Sequence, residues 1–157
     1  MTIRMLRATD LEQASAVCMA AFRHSVAGTL PAAGIGTFTE IASPDGFAGR
    51  MCDANTMLVF EMDGRVQGVA ELSGGQHVAM LFVDPTCQRQ GVGRALMAAL
   101  IECARADVIT VRAALGSVAA YQRYGFRMAG AVGEQAGLRY QPMELALPPH
   151  AAQGSER

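Results

Sequence analysis

Seven residues, Gln88-Arg89-Gln90-Gly91-Val92-Gly93-Arg94, carry the clearest chemistry in this chain. They follow the hydrophobic run Val78-Ala79-Met80-Leu81-Phe82-Val83 and an Asp84-Pro85 turn, and they lead into an alanine-rich helical stretch. A loop that opens a helix aims unpaired backbone N–H groups outward, where the helix macrodipole also favours negative charge. Gly91 and Gly93 let the backbone approach a ligand closely, and Arg89 and Arg94 flank them with positive charge. The chemistry implied is anion binding, and a pyrophosphate suits the cradle. The plainer alternative is a helix start that needs glycine only for its turn.

The elements that must position this loop follow from periodicity. Thr2 to Ala8 alternates and reads as a first strand. Thr9-Asp10 offers an N-cap for an amphipathic helix over residues 10 to 24, carried by Leu11, Ala14, Val17, Cys18, Ala21 and Phe22. Residues 28 to 36, with three glycines and Pro31, read as a mobile connector, a place where specificity often resides. One or two short helices are expected between Phe38 and Asn55, interrupted at Ser43-Pro44-Asp45-Gly46. Met57 to Met62 and Val66 to Leu72 are strands joined by Asp63-Gly64, a strong hairpin signal. After Gly74-Gly75, His77 to Val83 completes an antiparallel three-strand meander that ends where the cradle begins.

Gly91 to Ala106 is the strongest helix. Val108 to Val111, reached by that helical crossover, must lie parallel to the strand at 78 to 83. A short helix over Val118 to Tyr124 stops at Gly125, and Phe126 to Ala131 and Gly137 to Leu147 read as closing strands. One domain over residues 1–147 is expected, with a frayed tail over 148–157.

Composition narrows the partners. Charged residues make up 17% and the formal net charge is −1, so the basic excess of a nucleic-acid binder is missing. Four singly spaced cysteines suggest reduced thiols, not a metal site or disulfide framework. No stretch approaches the ~18 apolar residues of a membrane span, so a cytoplasmic protein without a membrane partner is expected.

The order strand, helices, meander, Gln88-x-x-Gly91-x-Gly93, helix, strand, then Tyr121-x-x-x-Gly125-Phe126 resembles the GNAT superfamily of N-acetyltransferases. The resemblance covers roughly residues 2 to 147. It implies an α/β (α+β) fold: a mixed, mostly antiparallel sheet of about six to seven strands, helices on both faces and a splayed parallel pair. It further implies acetyl-coenzyme A as cosubstrate, no metal, and an amine acceptor that is a small molecule or a protein or peptide. A homodimer is compatible with the family.

Site roles also come from the resemblance. The pyrophosphate would sit on backbone N–H groups of Gln88, Arg89, Gln90, Gly91, Val92, Gly93 and Arg94. The gap beside strand 78 to 83 would receive the pantetheine, with Phe82 and Val83 offering backbone contacts and the Leu81 N–H donating to the thioester carbonyl. Tyr121 matches the general acid, with Tyr124 as its competitor; general-acid help is worth ~10²–10⁴-fold. His77 or Glu71 would take the proton of the acceptor amine, and His24 and Glu40 are weaker candidates. Many relatives carry an asparagine where Arg112-Ala113-Ala114 stands, so Arg112 is a possible substitute donor. A GNAT-like module that binds coenzyme A without turnover is the alternative to an enzyme.

Overall fold

The computed structural model describes residues 2–25, 30–53 and 55–148. Eight strands form one sheet: β1 Thr2–Met5, β2 Asn55–Met62, β3 Arg65–Ser73, β4 His77–Val83, β5 Val108–Ala114, β6 Arg127–Met128, β7 Gly133–Gln135 and β8 Leu138–Ala146. Five helices accompany them: α1 Leu11–Ser25, α2 Ala32–Ile41, α3 Pro44–Arg50, α4 Val92–Glu102 and α5 Val118–Arg123. The spatial order is β1-β2-β3-β4-β5-β8-β6, with β7 also on β8, and β4–β5 is the one parallel pair among the described residues. The mixed, mostly antiparallel sheet and its parallel pair are therefore as expected.

Strand alternation divides the side chains between two cores. Leu58, Phe60, Ala70 and Leu72 face α4, whose Val92, Leu96, Met97 and Leu100 lie at helical spacing. Met57, Val59, Val69 and Met80 face the other way, against Val17, Cys18 and Phe22 of α1 and Phe47 of α3. Gly68 matters to the first core. A Cβ there would stand 2.7 Å from Leu96 and 2.9 Å from Val92, so glycine lets the start of α4 lie close against the sheet.

Local signals account for most boundaries. Asp63 and Gly64 both take positive φ (54° and 76°), the turn that matches the twist of a two-residue hairpin. Ser43 caps α3, its Oγ accepting from the Gly46 N–H at 3.0 Å. Asp10, expected in a cap, ends a 3-10 turn over Ala8–Asp10 and accepts from the Arg7 N–H at 2.7 Å.

Three expectations need correction. Residues 32–36, read as connector, are the first turns of α2, while residues 26–29 lie outside the described residues. Gly34 is there for close approach: a Cβ on it would collide with the Gly137 backbone of the β7–β8 turn. The strand expected over 126 to 131 shrinks to Arg127–Met128, and β7 forms where none was expected. The helix expected to reach Ala106 stops at Glu102. Residues 149–157, most of the expected tail, lie outside the described residues. No helix among the described residues is long and apolar enough to cross a membrane.

Candidate active site

The sheet opens between β4 and β5. Only His77↔Thr110 and Val78↔Val111 are paired, and the strands then part. The parting begins at a β-bulge: Leu72 opposes Val78 and Glu71 opposes Met80, which leaves Ala79 without a partner. An extra residue bends and twists a strand locally, which turns the rest of β4 away from β5.

Hydrogen-bond parity shows what faces the gap. The Asp84 N–H donates to the Gln67 carbonyl directly opposite at 2.9 Å. Residues alternate in an antiparallel ladder, so Phe82 and Met80 also pair with β3, at Val69 and Glu71. Leu81 and Val83 therefore turn their N–H and C=O groups into the gap. Consistent with this, the Gln88 amide donates to the Val83 carbonyl at 3.2 Å. Phe82 departs from expectation: its backbone belongs to the ladder, and it offers the gap only its side chain, edge-on to Phe38 at 5.1 Å.

The cradle continues from the open strand. Asp84 Oδ1 accepts from the Thr86 N–H at 2.9 Å and fixes the 3-10 turn over Pro85–Cys87. Arg89 and Gly91 both take left-handed backbone conformations (φ 66° and 83°), which redirects the chain into α4. The helix ladder starts with the Ala95 N–H on the Gly91 carbonyl, so Val92, Gly93 and Arg94 have no intrahelical acceptor for theirs. Gly93 lies beneath Tyr124, where a Cβ would stand 2.5 Å from the phenol oxygen. Gln90 is exposed and does not line the groove, and the Val92 side chain is buried in the core, so Val92 can contribute backbone only.

A cavity of about 500 Å³ runs along this groove, lined by Gln88, Arg89, Gly91, Gly93 and Arg94 and by Leu81, Phe82 and Val83. Its far wall is α5 with Ser117, Ala120, Tyr121, Arg123 and Tyr124. Three arginines and no carboxylate among the described lining residues suit a polyanion. The residues present therefore fit the pyrophosphate and arm of acetyl-coenzyme A.

A second cavity, of about 510 Å³, lies across the sheet gap, and the two share Leu81, Phe82, Ser117 and Tyr121. Tyr121 is buried between Tyr124 and Phe126, with ring centroids 5.8 and 5.4 Å away. Burial pushes its phenol up from the usual 10, so the proton stays on at neutral pH. Tyr124 is only half-buried and sits over the loop.

The second cavity brings His77 and Glu71 together. His77 Nδ1 lies 2.7 Å from Thr110 Oγ1, and burial, aided by the charge of Arg112, pulls the imidazole below its usual 6.5. Glu71 is wholly buried. Arg50 Nε donates to both its oxygens at 3.1 Å, and Asn55 Nδ2 donates to Oε2 at 2.7 Å. Arg112 lines this cavity and not the groove, donating to Gln135 and lying 4.9 Å from the Tyr140 ring centroid. It therefore does not stand where a groove donor would. His24 and Glu40 are exposed and line neither cavity. Sequence reasoning missed Arg50, Asn55, Ser117, Gln135 and Tyr140, which carry no local motif.

Comparison with known proteins agrees with this geometry. The family model for the acetyltransferase (GNAT) domain matches residues 26–147. No curated protein sequence matches the chain. Among solved structures, a GCN5-related N-acetyltransferase from Rhodopseudomonas palustris superposes with a TM-score of 0.82 at 22% identity, over 93% of this chain and 95% of that one. The PaiA N-acetyltransferase from Thermoplasma acidophilum, in complex with coenzyme A, gives 0.78 at 17% identity over 92% and 98%. A ribosomal-protein-alanine N-acetyltransferase from Brucella melitensis gives 0.70 at 24% over 94% and 100%. The sheet opened at β4–β5, the glycine loop and the matched domain have one conclusion: this chain belongs to the GNAT family of acetyltransferases.

Proposed function

We propose that the protein transfers the acetyl group of acetyl-coenzyme A to a primary amine by direct attack in a ternary complex. One observation carries the reading. The two cavities meet at Leu81 and Tyr121, so an acceptor and a thioester entering from opposite sides reach the same atoms.

The N–H groups of Val92, Gly93 and Arg94, with the guanidinium groups of Arg89 and Arg94, hold the pyrophosphate. Gln88 and Gln90 complete the loop, Gln88 by tying it to Val83. Leu81 and Val83 pair with the amides of the pantetheine as a neighbouring strand would. The thioester supplies an activated acyl group beside the free Leu81 N–H, which donates to the carbonyl oxygen as negative charge develops. Tyr121 keeps its proton until the sulfur departs and then donates it.

An aliphatic amine has an unperturbed pKa near ~10 and must lose a proton before attack. His77, neutral at pH 7, takes it at Nε2 when Nδ1 donates to Thr110. Glu71, held by Arg50 and Asn55 in the wall of the same cavity, is the alternative base, acting through a bridging water.

The test is thiol release from acetyl-coenzyme A across an amine panel. Tyr121→Phe is expected to lower kcat by ~10²-fold while acetyl-coenzyme A still stabilises the protein against heat. Unchanged turnover in that variant removes Tyr121 from the chemistry.

A further inference from the structure

The walls of the acceptor cavity carry more positive than negative charge. Arg50, Arg112 and Arg139 line it, and Glu71 is the one carboxylate among the described lining residues. That carboxylate is already engaged by Arg50 and Asn55. A polyamine or an aminoglycoside entering here meets two further arginines and an acid that is largely neutralised.

Arg112 is built differently from Arg50. Its guanidinium is pinned, donating to Gln135 Oε1 and lying 4.9 Å from the Tyr140 ring centroid, yet no carboxylate pairs with it among the described residues. A guanidinium has five donors in a planar fork, and the bond to Gln135 uses one. An oriented fork with spare donors matches a carboxylate in two-point contact.

The roof sets the size. Thr37 of α2 donates to the Ala136 carbonyl at 2.8 Å, and Gly34 and Gly137 meet backbone to backbone. The helix and the β7–β8 turn thereby close one side of a cavity of about 510 Å³, the volume of a small-molecule site. Phe38 and Leu138 beneath that roof make the closed side apolar.

We propose that the acceptor is a small amine bearing a carboxylate on an apolar body, with Arg112, held by Gln135 and Tyr140, seating the carboxylate. The inference rests on reading this cavity as the acceptor side of an N-acetyltransferase. Its amine end lies toward Glu71 and His77. Glu71 on β3 and Arg112 on β5 flank β4 where it parts from β5, at least two strand spacings or ~10 Å apart at the backbone, so the two ends of such an acceptor face opposite walls.

Thiol release is measured for phenylalanine, leucine, their carboxamides, phenethylamine and spermidine, and heat stabilisation by acetyl-coenzyme A is measured alongside. The free amino acids are expected to exceed their carboxamides in kcat/KM by about tenfold or more. Arg112→Gln raises KM for the amino acids and brings the acid-to-amide ratio close to one, and Arg112→Lys restores part of it. A preference for spermidine or the carboxamides, an unchanged ratio in Arg112→Gln, or no accepted amine overturns the proposal. If acetyl-coenzyme A stabilises the protein in those cases, only the acceptor assignment falls. If it does not, the reading of the site falls as well.

Discussion

The groove and the acceptor cavity share four residues and differ in what they are made of. The groove is largely backbone: the turned-out groups of Leu81 and Val83, the left-handed Gly91 and the free N–H groups at the start of α4. The acceptor cavity is largely side chains, from α2, α3, β3, β4, β5 and the β7–β8 turn. A backbone site depends on where glycine stands and where a helix starts, so it tolerates wide changes elsewhere. A side-chain site depends on residues brought together over long sequence distances. The first arrangement suits a cosubstrate common to a family and the second suits an acceptor peculiar to one member.

The sharpest way to break this contrast is at Gly91. A Cβ there meets no protein atom within 4 Å, so the fold has room for a side chain, but φ of +83° opposes any L-residue and valine most of all. Gly91→Val is expected to weaken acetyl-coenzyme A binding by ~100-fold or more, as loop N–H groups turn away from the phosphates. Titration calorimetry with coenzyme A measures it directly. An unchanged Kd would mean that the loop backbone is not the cradle.

The same division explains what was legible beforehand. Asp63-Gly64, the cradle and the α4 stripe of Leu96 and Leu100 are local patterns, and each formed where periodicity or turn chemistry placed it. The parallel run of β4 and β5 followed from topology and their opening from the family resemblance, while the bulge at Ala79 where the strands part had no local signal. The glycine at 34 misled because the same residue serves turns and close packing, and only the Gly137 backbone opposite decides between them. A Cβ on Gly36 would meet nothing within 4 Å, so its place in α2 had no such signal. β7 is three residues long and is held by its pairing to β8 and not by its own pattern. Glu71 could be named, but its bonds to Arg50 and Asn55 span 21 and 16 residues, and no spacing rule reaches them.

A second test perturbs only the acceptor side. Glu71 is fully buried, and Arg50, with a quarter of its side chain exposed, depends on it for a counter-charge while lying 5.0 Å from the centroid of the Phe47 ring. Glu71→Gln keeps the shape and removes the charge, leaving a partly buried guanidinium without its ion partner. Breaking such a pair is expected to cost ~3 kcal/mol of stability, visible as a lower Tm. Acetyl-coenzyme A should still raise the Tm of this variant, because its groove contains no part of the Glu71–Arg50–Asn55 cluster. If that stabilisation disappears, the two regions are not separable and the contrast drawn between them fails.

The finest test uses proton transfer. His77 loses water contact and feels the charge of Arg112, and both effects disfavour the imidazolium, so its pKa lies below 6.5. A base acts while deprotonated. At saturating acceptor, the His77 contribution to kcat is therefore full at neutral pH and is lost as pH falls through that lowered value. His77→Gln should remove this acid limb and reduce kcat by about tenfold or more. Arg112→Gln takes away the smaller of the two causes, so the limb should move upward toward 6.5, while burial holds it below that value. An acid limb that stays in place in both variants would assign the proton to Glu71 or to water. A limb that moves with Arg112 ties the charge proposed to seat the acceptor to the group proposed to deprotonate it.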